Sequence, residues 1–225
     1  MREKSMKQAS PIAAMALAIA ALLMLASGAL LVCPERPCAV PALDAAGLAA
    51  LDARRTGWLD RGFMIVTWLG SLYVLLPAAL LLAWRASRAI LRRAAAFVPI
   101  ALIGAAILAR LAKLAIERPR PDLFPALIAM PDDASFPSAH AMQATALVAA
   151  WLLRPGARLA YGEALAGGLL ISAVAFSRVY LQVHFPSDVV VGMVAALLWV
   201  MALRGLPFWQ KADQPGAAPG AGEAR

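Results

Sequence analysis

The sequence predicts an all-α, integral-membrane bundle of six helices, and three observations carry that prediction. Hydrophobic residues make up 62% of the 225-residue chain and charged residues 15%, with a mean hydropathy of +0.73. Most of such a chain must face lipid or other apolar helices. Six apolar runs follow one another, at about 12–32, 62–84, 95–116, 139–153, 163–181 and 187–204, and a bilayer core of roughly 30 Å calls for about 20 apolar residues per helix. Lys and Arg gather between alternate runs, as they do on the cytoplasmic side of a membrane.

The first run follows a basic stretch, Met1–Lys7, and contains the small residues Ala26-Ser27-Gly28-Ala29. Its apolar core is longer than the roughly 7–15 residues of a signal peptide, and Val32 precedes Cys33 where a lipoprotein site wants a small residue. An uncleaved span is therefore expected. Cys33 and Cys38 lie just beyond it, and two states are open to them: a small disulfide-closed loop, or two unpaired thiols. Residues 42–56 have helical character, with Leu43, Gly47, Ala50 and Leu51 spaced for one face. That segment either lies in the outer membrane interface or forms a plain surface helix.

The second and third runs are joined by Arg85, Arg88, Arg92 and Arg93, and the fourth and fifth by Arg154 and Arg158. With Arg2, Lys4 and Lys7 at the start and Arg204, Lys211 and Arg225 at the end, these cations fall on one side. Both termini are thus expected in the cytoplasm. Trp58, Trp84, Trp151 and Trp209 stand near expected span ends, where interfacial aromatics gather. The fourth run is short, at about 15 residues. Residues 1–209 read as one membrane domain, and 210–225, rich in Gly, Ala and Pro, as a disordered cytoplasmic tail. The net charge of +8 is spread between apolar runs rather than set in one stripe, which argues against nucleic acid as a partner.

Three stretches at the outward ends of these runs carry chemistry. Lys113 stands seven residues ahead of Arg120-Pro121, close to one helical face. Pro119 and Pro121 bias their preceding residues toward extended backbone, so the third helix should end near Arg118, with Arg120 on an exit segment above Lys113. Taken alone, the pair reads first as cations snorkelling to headgroups. Pro137-Ser138-Ala139-His140 precedes the fourth run; Ser138 reads as its N-cap, with His140 in the first turn. Alone, the motif reads first as a simple cap followed by an interfacial histidine, otherwise as an anion site made by free N–H groups. In the third stretch, Ser177-Arg178 leads through His184 to Asp188, with Pro186 at the start of the last helix. A carboxylate at Asp188 can hold one imidazole nitrogen of His184 and leave the other free to attack, or the two form a structural His–Asp pair at a helix end. Arg178 can give phosphate oxygens a bidentate contact. The chain has only two histidines, and both lie here.

Taken together, these stretches match Lys-x6-Arg-Pro, Pro-Ser-Gly-His and Ser-Arg-x5-His-x3-Asp. In them the chain resembles the type 2 phosphatidic acid phosphatase superfamily, which includes vanadium haloperoxidases and glucose-6-phosphatase. The resemblance covers the second half of the chain. It implies that His184 is a nucleophile forming a phosphohistidine, that Asp188 orients it, and that His140 protonates the leaving alkoxide and then helps activate water. It further implies that Lys113, Arg120, Ser138, Ala139 and Arg178 hold the phosphate. Ala139 stands where the family usually has glycine; its N–H survives, but the packing against phosphate is tighter.

The expected function is that of a lipid phosphate phosphatase in a bacterial inner membrane, its active site at the extracytoplasmic helix ends. Undecaprenyl diphosphate, phosphatidylglycerophosphate and phosphatidic acid are the substrates the resemblance implies, with membrane lipids as surroundings. Glu117, Asp122, Asp132 and Asp133 lie in flanking or loop positions, so no metal ligands and no cofactor are expected. A lipid phosphotransferase using the same histidine is the alternative, and an anion or lipid transporter the reading from another class. The loop at 122–136, with Leu123, Phe124, Leu127, Ile128 and Met130, either touches lipid or packs. The oligomeric state is left open.

Overall fold

In a computed structural model, described over residues 10–33, 38–89, 95–157 and 160–210, all regular structure among the described residues is helical. Helix α1 (Pro11–Val32) starts at Ser10, whose hydroxyl accepts the Ala13 N–H at 3.2 Å, with proline in the first turn. Cys33, which closes it, is disulfide-bonded to Cys38; of the two states the sequence leaves open, the paired one is found. There follow α2 (Ala42–Asp52), α3 (Gly57–Val66), a short 3-10 turn (Thr67–Gly70) and α4 (Leu72–Ala89). The long helices α5 (Phe97–Ile116), α6 (Ala139–Leu152), α7 (Tyr161–Tyr180) and α8 (Pro186–Arg204) come next, then the single turn α9 (Pro207–Gln210).

Each expected apolar run is helical, but the second is broken. Its halves, α3 and α4, meet at about 50° across the turn at Thr67–Gly70. Ser71 restarts the chain: its carbonyl takes the N–H groups of Val74 and Leu75, and its hydroxyl takes that of Tyr73. Gly70 lets the break sit close to the bundle, since a Cβ there would lie 2.9 Å from that of His140. Four helices, α1, α5, α7 and α8, are long and apolar enough to cross a membrane, and the bent pair would make a fifth span.

The remaining run, α6, is the centre of the fold. Every residue from Ala141 to Ala150 is buried, and the helix packs against α4, α5, α7 and α8. Apolar character all round suits a helix with neighbours on every side, and its many alanines let those neighbours approach closely. At 14 residues it rises only about 21 Å. Enclosed by protein, it does not have to match the bilayer.

Two expectations are corrected here. The buried face of α2 is Asp44, Leu48 and Leu51 with Gly47 against Pro186, not the face of Leu43 and Ala50. Leu43 is 87% exposed, while Asp44 is 2% exposed because it meets a buried arginine. Trp209 is not interfacial; it is buried against Phe97 and Phe208, at ring separations of 5.2 and 4.7 Å. Trp58 and Trp84 are exposed. In the loop at 122–136, Phe124, Leu127 and Ile128 pack, whereas Leu123 and Met130 are exposed. Of the tail expected over 210–225, Gln210 closes α9 and the rest lies outside the described residues, as do Arg2, Lys4, Lys7, Arg92, Arg93 and Arg158.

Candidate active site

Helix α5 ends where the sequence stops it. Glu117 adopts left-handed backbone at φ 52°, its N–H bonding to the Lys113 carbonyl at 3.0 Å, and Pro119 bars a further turn. This leaves Lys113 buried in the last turn. Beyond it the chain leaves the helix through Arg118-Pro119-Arg120 without regular structure. Arg120 turns toward His184, and Arg118 turns toward Asp188.

Arg120 is held by three acceptors. Its Nε donates to the Asp133 carbonyl at 2.8 Å, one terminal nitrogen to the Val183 carbonyl at 2.7 Å, and the other to the Asp133 carboxylate. Lys113 reaches the same loop, bonding to the Ala134 carbonyl and lying 3.3 Å from the second Asp133 oxygen. One carboxylate therefore bridges the first motif's two cations. Burial works to raise the Asp133 carboxyl, but its hydrogen bond to Arg120 and the charges of Lys113 and Arg120 outweigh it, holding it below the usual carboxylate range.

The second motif forms the start of α6. Ser138 takes the N-cap position, yet its hydroxyl makes no capping bond and is buried with no hydrogen-bond partner among the described residues. Its N–H bonds to the Asp188 carbonyl at 3.0 Å, tying the second motif to the third. Gly192, one turn further along α8, leaves room for that crossing, since a Cβ there would lie 3.2 Å from the Ser138 carbonyl oxygen. His140 falls in the first turn, and the N–H groups around it, Ala139 included, have no intrahelical acceptor by helix geometry.

The third motif places His184 between opposite charges. Pro186 opens α8 and the Asp188 carboxylate accepts the Phe185 N–H at 3.0 Å. Nδ1 of His184 lies 3.4 Å from the same carboxylate and 3.5 Å from the Ser135 hydroxyl, which itself bonds to Asp188. Nε2 faces the Arg120 guanidinium at 3.3 Å. These partners select the tautomer with the proton on Nδ1 and the lone pair on Nε2. Burial, then the charges of Arg178, Arg120, Lys113 and His140, push the His184 pKa well below its ordinary value, which favours the neutral ring. Arg178 is buried on α7; one terminal nitrogen bonds to the Thr67 hydroxyl, while its Nε has no hydrogen-bond partner among the described residues.

All eight residues that the sequence singles out thus lie on the motifs' end of the bundle. Orphaned donors on Ser138 and Arg178, free helix N–H groups, two cations and a neutral imidazole suit a tetrahedral oxyanion attacked at its centre. An open cleft of about 630 Å³ runs beside them, lined by Arg110, Lys113, Arg120, Met130 and Asp133. Sequence reasoning missed Asp133, Ser135, Thr67 and the group Arg118, Asp44 and Ser187. Among the described residues, no three His, Cys, Asp or Glu side chains cluster as metal ligands do.

Residues 94–212 match the PAP2 superfamily. The chain is also similar in structure to the transmembrane PAP2-type phosphatidylglycerolphosphate phosphatase of Bacillus subtilis, with a TM-score of 0.69 and 25% identity over 84% of this chain and 94% of that one. LpxE of Aquifex aeolicus shares the fold, with a TM-score of 0.61 and 22% identity over 73% and 96% of the two chains. No curated protein matches it.

Proposed function

The chain belongs to the PAP2 superfamily, and on that premise we propose that it is an integral-membrane lipid phosphate phosphatase working through a phosphohistidine at His184. One observation carries this reading. The two nitrogens of His184 face Asp188 and Arg120, so the ring's lone pair points to where the cations would hold a phosphoryl group.

In the first step Nε2 attacks phosphorus, an N–P bond forms and the bond from phosphorus to the lipid oxygen breaks. The electron pair leaves on that oxygen, and His140 supplies its proton. In the second step His140 takes a proton from water, whose oxygen displaces His184 and releases phosphate. Lys113, Arg120, Ser138 and Arg178, with the Ala139 N–H, hold the equatorial oxygens throughout. Asp188 keeps the Nδ1 proton in place and offsets the positive charge that the attacking ring acquires. No cofactor enters the proposal. The carboxylates near the site are engaged by arginine and lysine, which supports a metal-independent route.

The substrate class is a lipid phosphomonoester or diphosphate whose tail stays in the bilayer while its headgroup enters the cleft beside α5. The Bacillus subtilis relative makes phosphatidylglycerophosphate the first to test, with undecaprenyl diphosphate and phosphatidic acid beside it. The site would face outward from a bacterial inner membrane. The Cys33–Cys38 disulfide precedes α2, which packs on the site's end, and disulfides persist in oxidising compartments. Arg154 and Arg204 hold carbonyls at the other end of the bundle.

Phosphate release by the purified protein in detergent with excess EDTA tests the whole reading. Release from one of these lipids that disappears in His184→Ala is the expected result. Release that needs added metal, or that survives the substitution, would overturn it.

A further inference from the structure

Arg118 is 1% exposed, and it is packed between two carboxylates. One terminal nitrogen lies 2.5 Å from Oδ1 of Asp188 and donates to Ser187 at 2.9 Å; the other lies 2.8 Å from Oδ2 of Asp44. Asp44 is also tied to the start of α8, accepting the Ser187 N–H at 2.9 Å and the Ser187 hydroxyl at 2.6 Å. The guanidinium carbon stands 4.0 Å from the centre of the Phe185 ring. Asp44 belongs to α2, outside the residues that match the family.

A buried arginine between two buried carboxylates is expensive to assemble as a mere fastening, because desolvation consumes most of the Coulombic gain. Its geometry suggests a more specific task. The second oxygen of Asp188 serves Ser135, the Phe185 N–H and His184, so Arg118 fixes the carboxylate by the oxygen the nucleophile does not use. Asp44 then offsets the arginine's charge, leaving one net negative charge across the bridge.

We propose that Arg118 and Asp44 are positioning residues that set the orientation and effective charge of Asp188, and so make the outer helix α2 part of the machinery that activates His184. The proposal rests on His184 being the nucleophile. The other ionisable groups acting on that ring are Arg120 from the loop, Lys113 from α5, His140 from α6 and Arg178 from α7, with Asp133 paired to Arg120 and Lys113; the variants below leave all of them in place.

The test is the pH dependence of kcat/KM for detergent-solubilised protein, with wild type and His184→Ala alongside. Asp44→Asn leaves the arginine's charge uncompensated, so the acid limb should move down by about half a pH unit or more, and kcat should fall about tenfold with KM nearly unchanged. Arg118→Gln leaves two facing carboxylates and should move the limb the other way. Two buried, facing carboxylates make that variant the least stable of the set, so the double variant Asp44→Asn/Arg118→Gln carries the decision. It restores the single negative charge, and its acid limb should return toward the wild-type position while kcat stays low. Wild-type kcat in Asp44→Asn, or a double variant whose limb stays where Asp44→Asn put it, would overturn the proposal while leaving His184 as the nucleophile. Full activity in His184→Ala would instead remove the underlying reading, and this proposal with it.

Discussion

The carboxylate of Asp133 sits between Arg120 and Lys113, bonded to the guanidinium of the first and 3.3 Å from the ammonium of the second. Those are the cations assigned to the substrate's phosphate, so a substrate must displace a carboxylate before it can bind.

Asp133→Asn should therefore tighten ground-state binding of phosphate. The Asp133 side chain is 34% exposed, and solvent screening limits a pair of this kind to about 1 kcal/mol or less. The expected change is a fall of a few-fold in the inhibition constant of inorganic phosphate and in KM. The carboxyl is held below the usual range by Arg120 and Lys113, so it stays ionised and competing from neutral pH well into the acid region. A competition assay against inorganic phosphate checks this, and weaker inhibition in the variant would show that Asp133 helps to organise the cations.

The acid limb for catalysis follows from His184. Burial and then the surrounding cations depress its pKa. A depressed value means that the ring sheds its proton at lower pH, so the neutral, nucleophilic form persists below the ordinary histidine value of about 6.5. The acid limb of kcat/KM, which reports the free enzyme, should lie below that value. Arg120→Gln removes one of the depressing charges and should move the limb upward. A pH profile of both proteins checks the sign.

Thr67→Val tests the support of Arg178. The Thr67 hydroxyl is bonded to the guanidinium, and Arg178 Nε already lacks a partner among the described residues. Losing one more bond to a buried charged group costs about 1.5–3 kcal/mol. Part of that is recovered if the side chain shifts, so kcat/KM should fall by roughly tenfold. Unchanged kcat/KM would mean that Arg178 is placed by packing alone.

What the sequence made legible was the chemistry at fixed spacing. His140, His184, Asp188 and the motif cations are few in an apolar chain, and each stands at a run's end. The six runs were also legible, because lipid and protein interiors both demand apolar residues. The supporting residues were not. Thr67 looks like an ordinary polar residue in an apolar run, until the backbone breaks there and brings its hydroxyl to Arg178. Arg118 looks like a helix-end cation, and only the tertiary structure brings it between Asp44 and Asp188. For Asp44 a signal did exist: Asp44, Leu48 and Leu51 share one face of α2, and a carboxylate on an apolar face asks for a buried cation. Weighting the apolar residues alone selected Leu43 and Ala50, which are exposed.

His140 should reveal its task through the leaving group. A general acid contributes about 10²–10⁴-fold when the departing oxygen needs a proton, and a lipid alkoxide needs one. An activated aryl phosphate leaves as a stabilised phenolate and does not. His140→Ala should therefore lower the release of phosphate from a lipid phosphate by 10²-fold or more, and slow the first step on the aryl substrate far less. Because the proposed mechanism also has His140 activate water in the second step, the comparison must be made on the burst of aryl alcohol, before dephosphorylation limits turnover. A burst rate close to wild type, with steady-state turnover depressed, assigns His140 to both protons. Equal losses in the burst and on the lipid would mean that the imidazole acts by holding the phosphate, and the acid would have to be sought elsewhere in the cleft.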